Sequence, residues 1–233
     1  MAYIGWETGG PDELAAMKTA LGEVGLTGET LPAEATAERR MTEVIAVTDP
    51  HGFRHEIGYG PVQTSPFTPP NGSAGFIGED EGLGHFVLVI PELTQAYRDF
   101  VVSVLGLTVY YDDTYHGMKV LFVRCNPRTH CMALLTIPGL KGLDHFFVEA
   151  RNLRDVGIAH DKALDRGLEM AMTLGSHRLD PGVSFYLRTP SGFNVELGSD
   201  MIRVDGSEHP VMEEVWGHRM ADIAPGAAIQ PVG

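Results

Sequence analysis

Two stretches of the chain alternate apolar and polar residues directly after a turn. In TPSGFNVELGS, which ends at Ser199, Phe193, Val195 and Leu197 alternate with polar or small residues, and a proline and a glycine precede them. The stretch DPHGFRHEIGYG, residues 49–60, repeats the turn and the alternation. A period of two predicts a β-strand with one buried face, so the same turn and strand are predicted twice.

Three other segments predict the start of a repeated unit. YIGWETG, GLGHFVL and GLDHFFV are strand-like and begin at Tyr3, Gly82 and Gly142. Each precedes a stretch with apolar residues at intervals of three and four, which predicts a helix that packs by one face. Each helix is predicted to end at a Gly-Leu pair, and strand-like runs follow. The unit is therefore a strand, a helix and about three strands, at about 3–60, 82–137 and 142–199.

The spacing of these units predicts the domain organisation. Residues 61–80 are rich in Pro, Gly and Ser, which is typical of a linker. No comparable segment separates the second and third units. We therefore expect 1–60 to form a domain with a single module, 81–200 to form a domain with two modules, and the tail, 201–233, to pack over the larger domain. The predicted fold class is α+β, built from tandem βαβββ modules.

Composition narrows the classes of function. The 233 residues carry a formal net charge of −14, which disfavours binding to nucleic acid or to anionic membranes. No apolar run approaches the ~20 residues that a membrane span needs, and the N-terminus does not resemble a signal peptide. The two cysteines, Cys125 and Cys131, imply no disulfide framework, so we expect a cytoplasmic protein.

The aligned units differ at two positions. At the fourth residue of the first strand-like segment stand Trp6, His85 and His145. At the glutamate position of the last strand stand Glu56, Ala133 and Glu196. The second and third units together therefore offer two histidines and one carboxylate, and the fourth symmetric position is an alanine.

This residue set predicts a metal site. If the second and third units pack as a pseudo-twofold pair, His85, His145 and Glu196 converge. Two imidazoles and one carboxylate on one face of a metal leave positions open for other ligands, as in non-haem Fe(II) oxygenases. A single histidine in a strand is more often a buried core residue, but matching positions in a repeat favour the metal.

The segments GLGHFVL, LDHFFVE, SFYLRTPSGFNVELGS and VWGH resemble the type I extradiol ring-cleavage dioxygenases of the vicinal oxygen chelate superfamily. The most similar subgroup acts on 2,3-dihydroxybiphenyl and related bicyclic or steroid catechols. The resemblance covers 81–220 nearly throughout and 3–60 more loosely. It implies an open barrel formed by the C-terminal pair of modules around Fe(II), or Mn(II) as in some relatives, with dioxygen as co-substrate.

The resemblance also implies roles around the metal. His85, His145 and Glu196 match the ligands. His130 matches a histidine that relays protons, and His177 and Tyr186 match residues that hydrogen-bond the substrate's oxygens. Asp180 matches an acid near the pocket entrance, and Val87, two residues after the first ligand, is expected to line the pocket. Thr129 stands where many relatives carry a second histidine, and His218 is expected to pack.

The predicted function is extradiol cleavage of a catechol in the degradation of aromatic compounds. Two alternatives remain open. One is a glyoxalase-type isomerase, which needs a fourth metal ligand. The other is a protein without this activity, either a metal-free protein that binds aromatic compounds or an inactive truncated paralogue. Because relatives have four modules and three are counted here, we expect the apolar sheet face of the first module to be covered. The cover would be a second copy in a homo-oligomer or a separate fragment.

Overall fold

The computed structural model describes 1–62, 64–65, 67–78, 81–115, 117–205, 215–220 and 228–232. The chain forms two compact units, one of Met1–Phe67 with Leu93–Leu107 and one of Thr68–Glu92 with Thr108–Gly233. The segment Leu93–Leu107, which the sequence pattern places in the second module, thus belongs to the first unit. The predicted linker divides between the two units, and much of the predicted tail lies outside the described residues.

The first unit contains one βαβββ module with an added short helix. Its elements are β1 (Ile4–Glu7), α1 (Pro11–Glu23), β2 (Glu29–Thr30), α2 (Ala33–Glu38), β3 (Glu43–Thr48) and β4 (Arg54–Tyr59). The strands form a sheet in the order β1-β4-β3-β2, with β1 parallel to β4. Leu14 and Leu21 of α1, and Ile45 and Ile57 of the sheet, are buried and form its core.

The segment Leu93–Leu107 is helical, as its spacing of apolar residues predicts. It contains α3 (Gln95–Asp99) and a π-helical turn, Phe100–Val104. Thr94 caps α3 by accepting a hydrogen bond from the Tyr97 backbone N–H. The Phe100 ring packs edge-on against His55 at 5.0 Å, so the helix shares a core with the sheet of the first unit.

Ion pairs cover the Glu56 face of this sheet. The buried carboxylate of Glu56 accepts hydrogen bonds from Arg39 at 2.8 and 3.1 Å and from Arg54 at 3.0 Å. The Arg39 guanidinium also lies 4.9 Å from the centre of the Tyr3 ring. Among the described residues of β1 to β4, no large apolar side chain is exposed. In the described part of the first module, the apolar face that was expected to need a second copy or a fragment as its cover is therefore not found, because charged side chains of the same module lie there.

The second unit contains the strands of the second module and the whole third module, and these strands form one open ten-stranded sheet. The strands are β5 (Phe76–Ile77), β6 (Gly84–Ile90), β7 (Thr108–Tyr115), β8 (Met118–Arg124), β9 (Met132–Thr136), β10 (Leu140–Ala150), β11 (Met170–Gly175), β12 (Val183–Arg188), β13 (Asn194–Ser199) and β14 (Ile229–Pro231). The main order is β11-β12-β13-β10-β6-β9-β8-β7. The first strand of each module pairs in parallel with its last, and β6 joins β10 antiparallel. The predicted α+β fold is confirmed.

One helix packs against the third module. The side chain of Asn152 caps α4 (Leu153–Asp165) by accepting a hydrogen bond from the Asp155 backbone N–H. Val156 and Ala163 face the sheet and pack with Phe185 of β12. No helix among the described residues is long and apolar enough to cross a bilayer.

A buried cluster of charges ties the loop before β9 to β10. Arg128 Nη2 and Arg203 Nη2 lie 3.0 and 2.8 Å from Glu149 Oε2, and Arg203 Nη2 lies 2.7 Å from Glu81 Oε2. Arg128 and Glu149 are 2% and 1% exposed. Because Arg128 is two residues before His130 and Glu149 shares β10 with His145, the cluster holds two candidate site residues relative to each other.

We expect Glu149→Gln to lower the free energy of unfolding of the metal-free protein by about 3 kcal/mol, because the change removes the nearest carboxylate, at 3.0 Å, from the buried guanidinium of Arg128. Urea unfolding measures the difference. The control, Glu43→Gln, breaks the half-exposed Lys18–Glu43 pair and should cost less than about 1 kcal/mol. Equal losses in the two variants would contradict the assignment.

Candidate metal centre

Three polar side chains from three adjacent strands meet at the junction of the two modules. His85 lies on β6, His145 on β10 and Glu196 on β13, and the order of these strands is β13-β10-β6. In register, Phe147 of β10 lies between His85 and Glu196. Since paired residues and residues two apart share a face, all three polar side chains project from the same side of the sheet.

The three side chains converge on one carboxylate oxygen. Glu196 Oε2 lies 3.1 Å from His85 Nε2 and 3.4 Å from His145 Nε2, and Ser184 donates a 2.5 Å hydrogen bond to Oε1. One ligand atom from each of the three residues lies within 4.8 Å of the other two. All three side chains are buried. The structure thus brings together the three residues predicted as ligands.

Charge stabilises this arrangement. Burial alone would raise the pKa of Glu196, but hydrogen bonds from His145 and His85 outweigh it and hold the pKa well below its usual value. Burial alone would lower the pKa of His145, but hydrogen bonds to Asp144 and Glu196 raise it to about 9. Burial lowers the pKa of His85. The carboxylate is therefore ionised and faces one imidazolium and one neutral imidazole.

Asp144 is a site residue that the sequence reasoning missed. Its Oδ2 accepts a 2.6 Å hydrogen bond from His145 Nδ1, which leaves His145 Nε2 directed at Glu196. A carboxylate on the second ring nitrogen fixes the orientation of a ligand histidine. The sequence signal is the position of Asp144, a carboxylate directly before His145 in the segment GLDHFFV. The pattern of that segment predicts only a strand.

The strand registers show which positions are equivalent in the three modules. Glu196 pairs with Phe147, and Ala133 pairs with Val87, each two residues after a histidine. Ala133 therefore occupies the position symmetric to Glu196, as aligned from the sequence.

The alignment of Trp6 with the two histidines is wrong. Glu56 pairs with Gly5, so the residue two positions earlier, Tyr3, is the equivalent of the histidines. Trp6 follows Gly5 and points to the opposite face, where its indole N–H donates a 2.9 Å hydrogen bond to His55 Nδ1. Tyr3 and Arg39 surround the carboxylate of the first module, in the place where the second and third modules bring two histidines to Glu196.

His130 lies beside the first histidine. Its ring stacks on His85 at 4.0 Å and contacts Phe122 at 4.3 Å, and its Nδ1 lies 3.0 Å from Thr129 Oγ1. Burial holds the pKa of His130 well below its usual value, so the ring is neutral. A neutral imidazole can accept a proton and return it.

Tyr186 and His177 form a second polar pair beside Glu196. Tyr186 lies on β12 opposite Glu196, and its hydroxyl lies 2.7 Å from His177 Nε2. Burial lowers the pKa of His177 to about 4 and raises that of Tyr186 well above its usual value. His218 stacks on His177 at 4.0 Å, and its Nδ1 donates to the Thr173 carbonyl at 3.1 Å. The pair is therefore neutral and carries hydrogen-bond donors.

Asp180 and Val87 complete the set of predicted site residues. Asp180 Oδ2 lies 3.9 Å from Nδ1 of both His85 and His130, and burial raises the pKa of Asp180 to about 8. Ligand atoms of Asp180, His85 and His130 form a second group within 4.8 Å, which shares one ring with the first. Val87 is buried on the same face as His85 and pairs with His145.

The donor set fits a divalent metal that needs open positions. Two imidazole nitrogens and one ionised carboxylate oxygen on one side of an ion are typical of sites for non-haem Fe(II). The two carboxylate oxygens of Glu196 have different partners: Oε1 accepts the hydrogen bond from Ser184, and Oε2 faces the two histidines. His85, His145 and Glu196 would hold the metal, and His130, His177 and Tyr186 stand around it.

Comparison with known proteins identifies the family. Residues 64–197 match the glyoxalase/bleomycin resistance protein/dioxygenase superfamily. The chain is 37% identical over 227 residues to a 3-methylcatechol 2,3-dioxygenase of Pseudomonas putida, covering 93% of this chain and 77% of the relative. It is 36% identical over 229 residues to a biphenyl-2,3-diol 1,2-dioxygenase of Metapseudomonas furukawaii, covering 94% and 75%. An iron-dependent extradiol dioxygenase of Rhodococcus jostii is 32% identical over 234 residues, covering 94% and 77%.

Solved structures agree with the sequence relatives. The crystal structure of a halotolerant catechol dioxygenase matches with a TM-score of 0.91 at 29% identity, over 100% of this chain and 80% of that chain. A catechol 2,3-dioxygenase matches with a TM-score of 0.86 at 30% identity, over 100% and 79%. The resemblance drawn from the sequence motifs is confirmed, and the chain belongs to the glyoxalase/bleomycin resistance protein/dioxygenase superfamily.

Proposed function

We propose that the chain is an extradiol dioxygenase, which opens the ring of a catechol next to its two hydroxyls and adds both atoms of dioxygen. The convergence of His85 Nε2, His145 Nε2 and Glu196 Oε2 carries this proposal. Relatives named as dioxygenases of 3-methylcatechol and of biphenyl-2,3-diol support a substituted or bicyclic catechol as the substrate. The relative named as iron-dependent supports Fe(II), with Mn(II) as the alternative.

The ligand residues would hold the metal at the sheet junction. A metal bound there would lower the pKa of the catechol hydroxyls and supply a shared site for catechol and dioxygen. The protein contributes fixed orientation: Asp144 holds the ring of His145, and Ser184 holds the carboxylate of Glu196. Apolar packing by Val87 would shape the substrate pocket.

The neutral side chains of His130, Tyr186 and His177 would transfer protons and hydrogen-bond the oxygens of the substrate. His130 would take a proton from the substrate and return it during ring opening, since its ring is neutral and buried. The hydroxyl of Tyr186 and the ring of His177 would hydrogen-bond an oxygen of the substrate as charge develops on it. Asp180 would act beside His130 rather than at an exposed entrance, because it is buried.

Anaerobic loading with Fe(II), followed by oxygen uptake with catechol, 3-methylcatechol and 2,3-dihydroxybiphenyl, tests the proposal. We expect a yellow ring-fission product with at least one of these diols. Loading with Mn(II) in parallel separates the two metals. Tight binding of the diols without metal uptake would instead support a metal-free binding protein.

Metal binding should release a proton. At pH 7 the metal-free protein carries a protonated His145, since its pKa is about 9, and the metal must displace that proton from Nε2. Affinity for Fe(II) should therefore rise with pH below about 9, by up to ~10-fold per pH unit. Anaerobic titrations with Fe(II) at pH 7.0 and 8.0 measure this rise in affinity. Asp144→Asn removes a hydrogen bond that raises the pKa of His145, so the rise should be smaller in that variant. Equal affinity at both pH values in the unsubstituted protein would contradict this prediction.

A specific observation argues against the isomerase alternative. A glyoxalase-type site would need a fourth ligand at the position symmetric to Glu196, and Ala133 occupies that position. Alanine has no ligand atom, so we expect no isomerase activity toward thiohemiacetals.

Assembly and location are proposals of the same kind. A homo-oligomer, or a partner fragment beside the first module, is tested by native mass spectrometry of the purified protein. A cytoplasmic location is supported by the two free cysteines, Cys125 and Cys131.

A further inference from the structure

A short C-terminal segment runs along the edge of the ten-stranded sheet. This edge segment, 216–220, lies beside β11, the strand at one end of the main strand order. The Ser176 N–H donates to the Trp216 carbonyl at 2.9 Å, and the Thr173 N–H donates to the Arg219 carbonyl at 3.1 Å. The Arg219 N–H returns a 3.0 Å hydrogen bond to Thr173 Oγ1. The edge segment is therefore bound to the sheet on both sides of its central residue.

Two glycines allow the edge segment to approach β11 closely. Gly217 has a φ of +69°, and a Cβ atom there would overlap the Leu174 carbonyl oxygen. A Cβ atom at Gly175 would overlap the His218 backbone nitrogen and the Trp216 carbonyl oxygen. Since glycine alone has no Cβ, any other residue at either position would push the edge segment away from the sheet.

His218, the central residue of the edge segment, has a strained backbone. Its φ is 45°, in the left-handed region that residues with a Cβ seldom adopt. Such a conformation persists where the surrounding structure imposes it, and residues of this kind cluster at functional sites. The hydrogen bonds on either side of His218 impose it here. The side chain adds a further contact, because Nδ1 donates to the Thr173 carbonyl oxygen at 3.1 Å.

The ring of His218 stacks on the ring of His177. The two ring centres are 4.0 Å apart and the ring planes differ by 19°. His177 in turn places its Nε2 2.7 Å from the Tyr186 hydroxyl. Rotation of a histidine ring about its Cβ–Cγ bond has only broad minima, so neighbouring groups decide the orientation of the ring. A flat ring at stacking distance limits this rotation and keeps Nε2 of His177 directed at Tyr186.

We propose that His218 is a positioning residue, whose ring holds the ring of His177 in the orientation that meets the Tyr186 hydroxyl. The inference rests on the proposed function, in which His177 and Tyr186 hydrogen-bond an oxygen of the substrate. His218 acts through His177 and takes no part in the reaction itself. The two glycines and the strained backbone are the means by which the edge segment brings His218 to His177.

Two substitutions separate the ring of His218 from its other contacts. Asparagine tolerates the left-handed conformation, and its amide can donate to the Thr173 carbonyl, but it has no ring. Phenylalanine keeps a ring and loses the donor. His218→Asn should therefore release the ring of His177, and His218→Phe should still hold it.

The orientation of His177 can be measured without metal or turnover. The rings of His177 and Tyr186 have centres 5.9 Å apart, so a nuclear Overhauser effect between them reports their contact in the metal-free protein. The signals are those missing from His177→Gln and Tyr186→Phe. We expect this effect in the unsubstituted protein and in His218→Phe, and a weaker effect in His218→Asn. An undiminished effect in His218→Asn, or an equal loss in His218→Phe, would overturn the proposal. His218→Gln makes the same deletion of the ring if the asparagine variant does not fold.

Kinetics provide the second test. His218→Asn should lower kcat by about 10-fold, the size expected for one misplaced hydrogen bond, with KM for the catechol and iron content unchanged. The control, Arg219→Gln, changes an exposed side chain of the same segment and should keep the rate. In the His177→Gln background His218→Asn should have no further effect; an equal loss in both backgrounds would show that His218 acts independently of His177. If the unsubstituted protein opens no catechol, the proposed function fails, while the Overhauser measurement still decides the role of His218.

Discussion

Replacing Glu196 by Gln is expected to abolish iron binding and ring cleavage together. The carboxylate oxygen Oε2 is the point on which both histidines converge, at 3.1 and 3.4 Å. An amide of the same shape keeps the contact of Oε1 with Ser184 but supplies no negative charge to the metal. Iron content after anaerobic loading should fall from about one per chain to background, and product formation should fall below detection.

The repeat supplies a matched control for this variant. Glu56 occupies the same position of the first module and is also buried, but its partners are Arg39 and Arg54 instead of histidines. Glu56→Gln should bind iron and turn over like the unsubstituted protein, even where it lowers stability. A Glu196→Gln protein that keeps its full iron content would show that the ligand assignment is wrong.

Replacing His130 by Gln is expected to slow ring opening by roughly 10²–10⁴-fold while iron remains bound, because glutamine can hydrogen-bond but cannot relay a proton. His130 lies 4.0 Å from the ring of His85 without contacting Glu196, so the ligand set stays complete. Single-turnover measurement of the yellow product, beside iron analysis of the same sample, separates loss of chemistry from loss of metal.

His160 is the control for this variant. It lies on α4, where its ring packs edge-on against Phe185 at 5.2 Å, and it contacts none of the candidate site residues. His160→Gln should keep both iron and rate. A His130→Gln protein with an unchanged rate of ring opening would remove His130 from the mechanism.

The repeat and the ligand set could be predicted because they depend on strand periodicity. In a strand, residues two apart share a face, so matching His85 with His145 and Ala133 with Glu196 required only the sequence spacing. Pairing of the first and last strand in each module then brings these positions together, as the registers of β6 with β9 and of β10 with β13 show.

The first module was harder to align because it has no histidine to mark the strand position. A count from the start of the segment places Trp6 at the histidine position, three residues after the true equivalent, Tyr3, and on the opposite face of the sheet. The partner of Glu56 could not be predicted either, because Arg39 stands 17 residues away at the end of α2 and meets the carboxylate only in the folded chain.

Contacts between side chains could not be predicted from spacing at all. Asp144 was assigned no role although it is adjacent to His145, since a bond to Nδ1 depends on the rotamers of both residues. Asp180 Oδ2 lies 3.9 Å from His130 Nδ1, although the two residues stand on loops 50 positions apart that only the folded chain brings together. Grouping of Leu93–Leu107 with the first unit likewise depends on packing.

The stoichiometry of oxygen uptake tests the central claim most directly. The iron-loaded protein, supplied with a limiting amount of 3-methylcatechol or 2,3-dihydroxybiphenyl, should consume about one dioxygen per catechol and form the yellow product, with neither peroxide nor quinone. Formation of quinone and hydrogen peroxide, or a loaded protein that consumes no oxygen with any of the tested diols, would contradict ring cleavage at His85, His145 and Glu196.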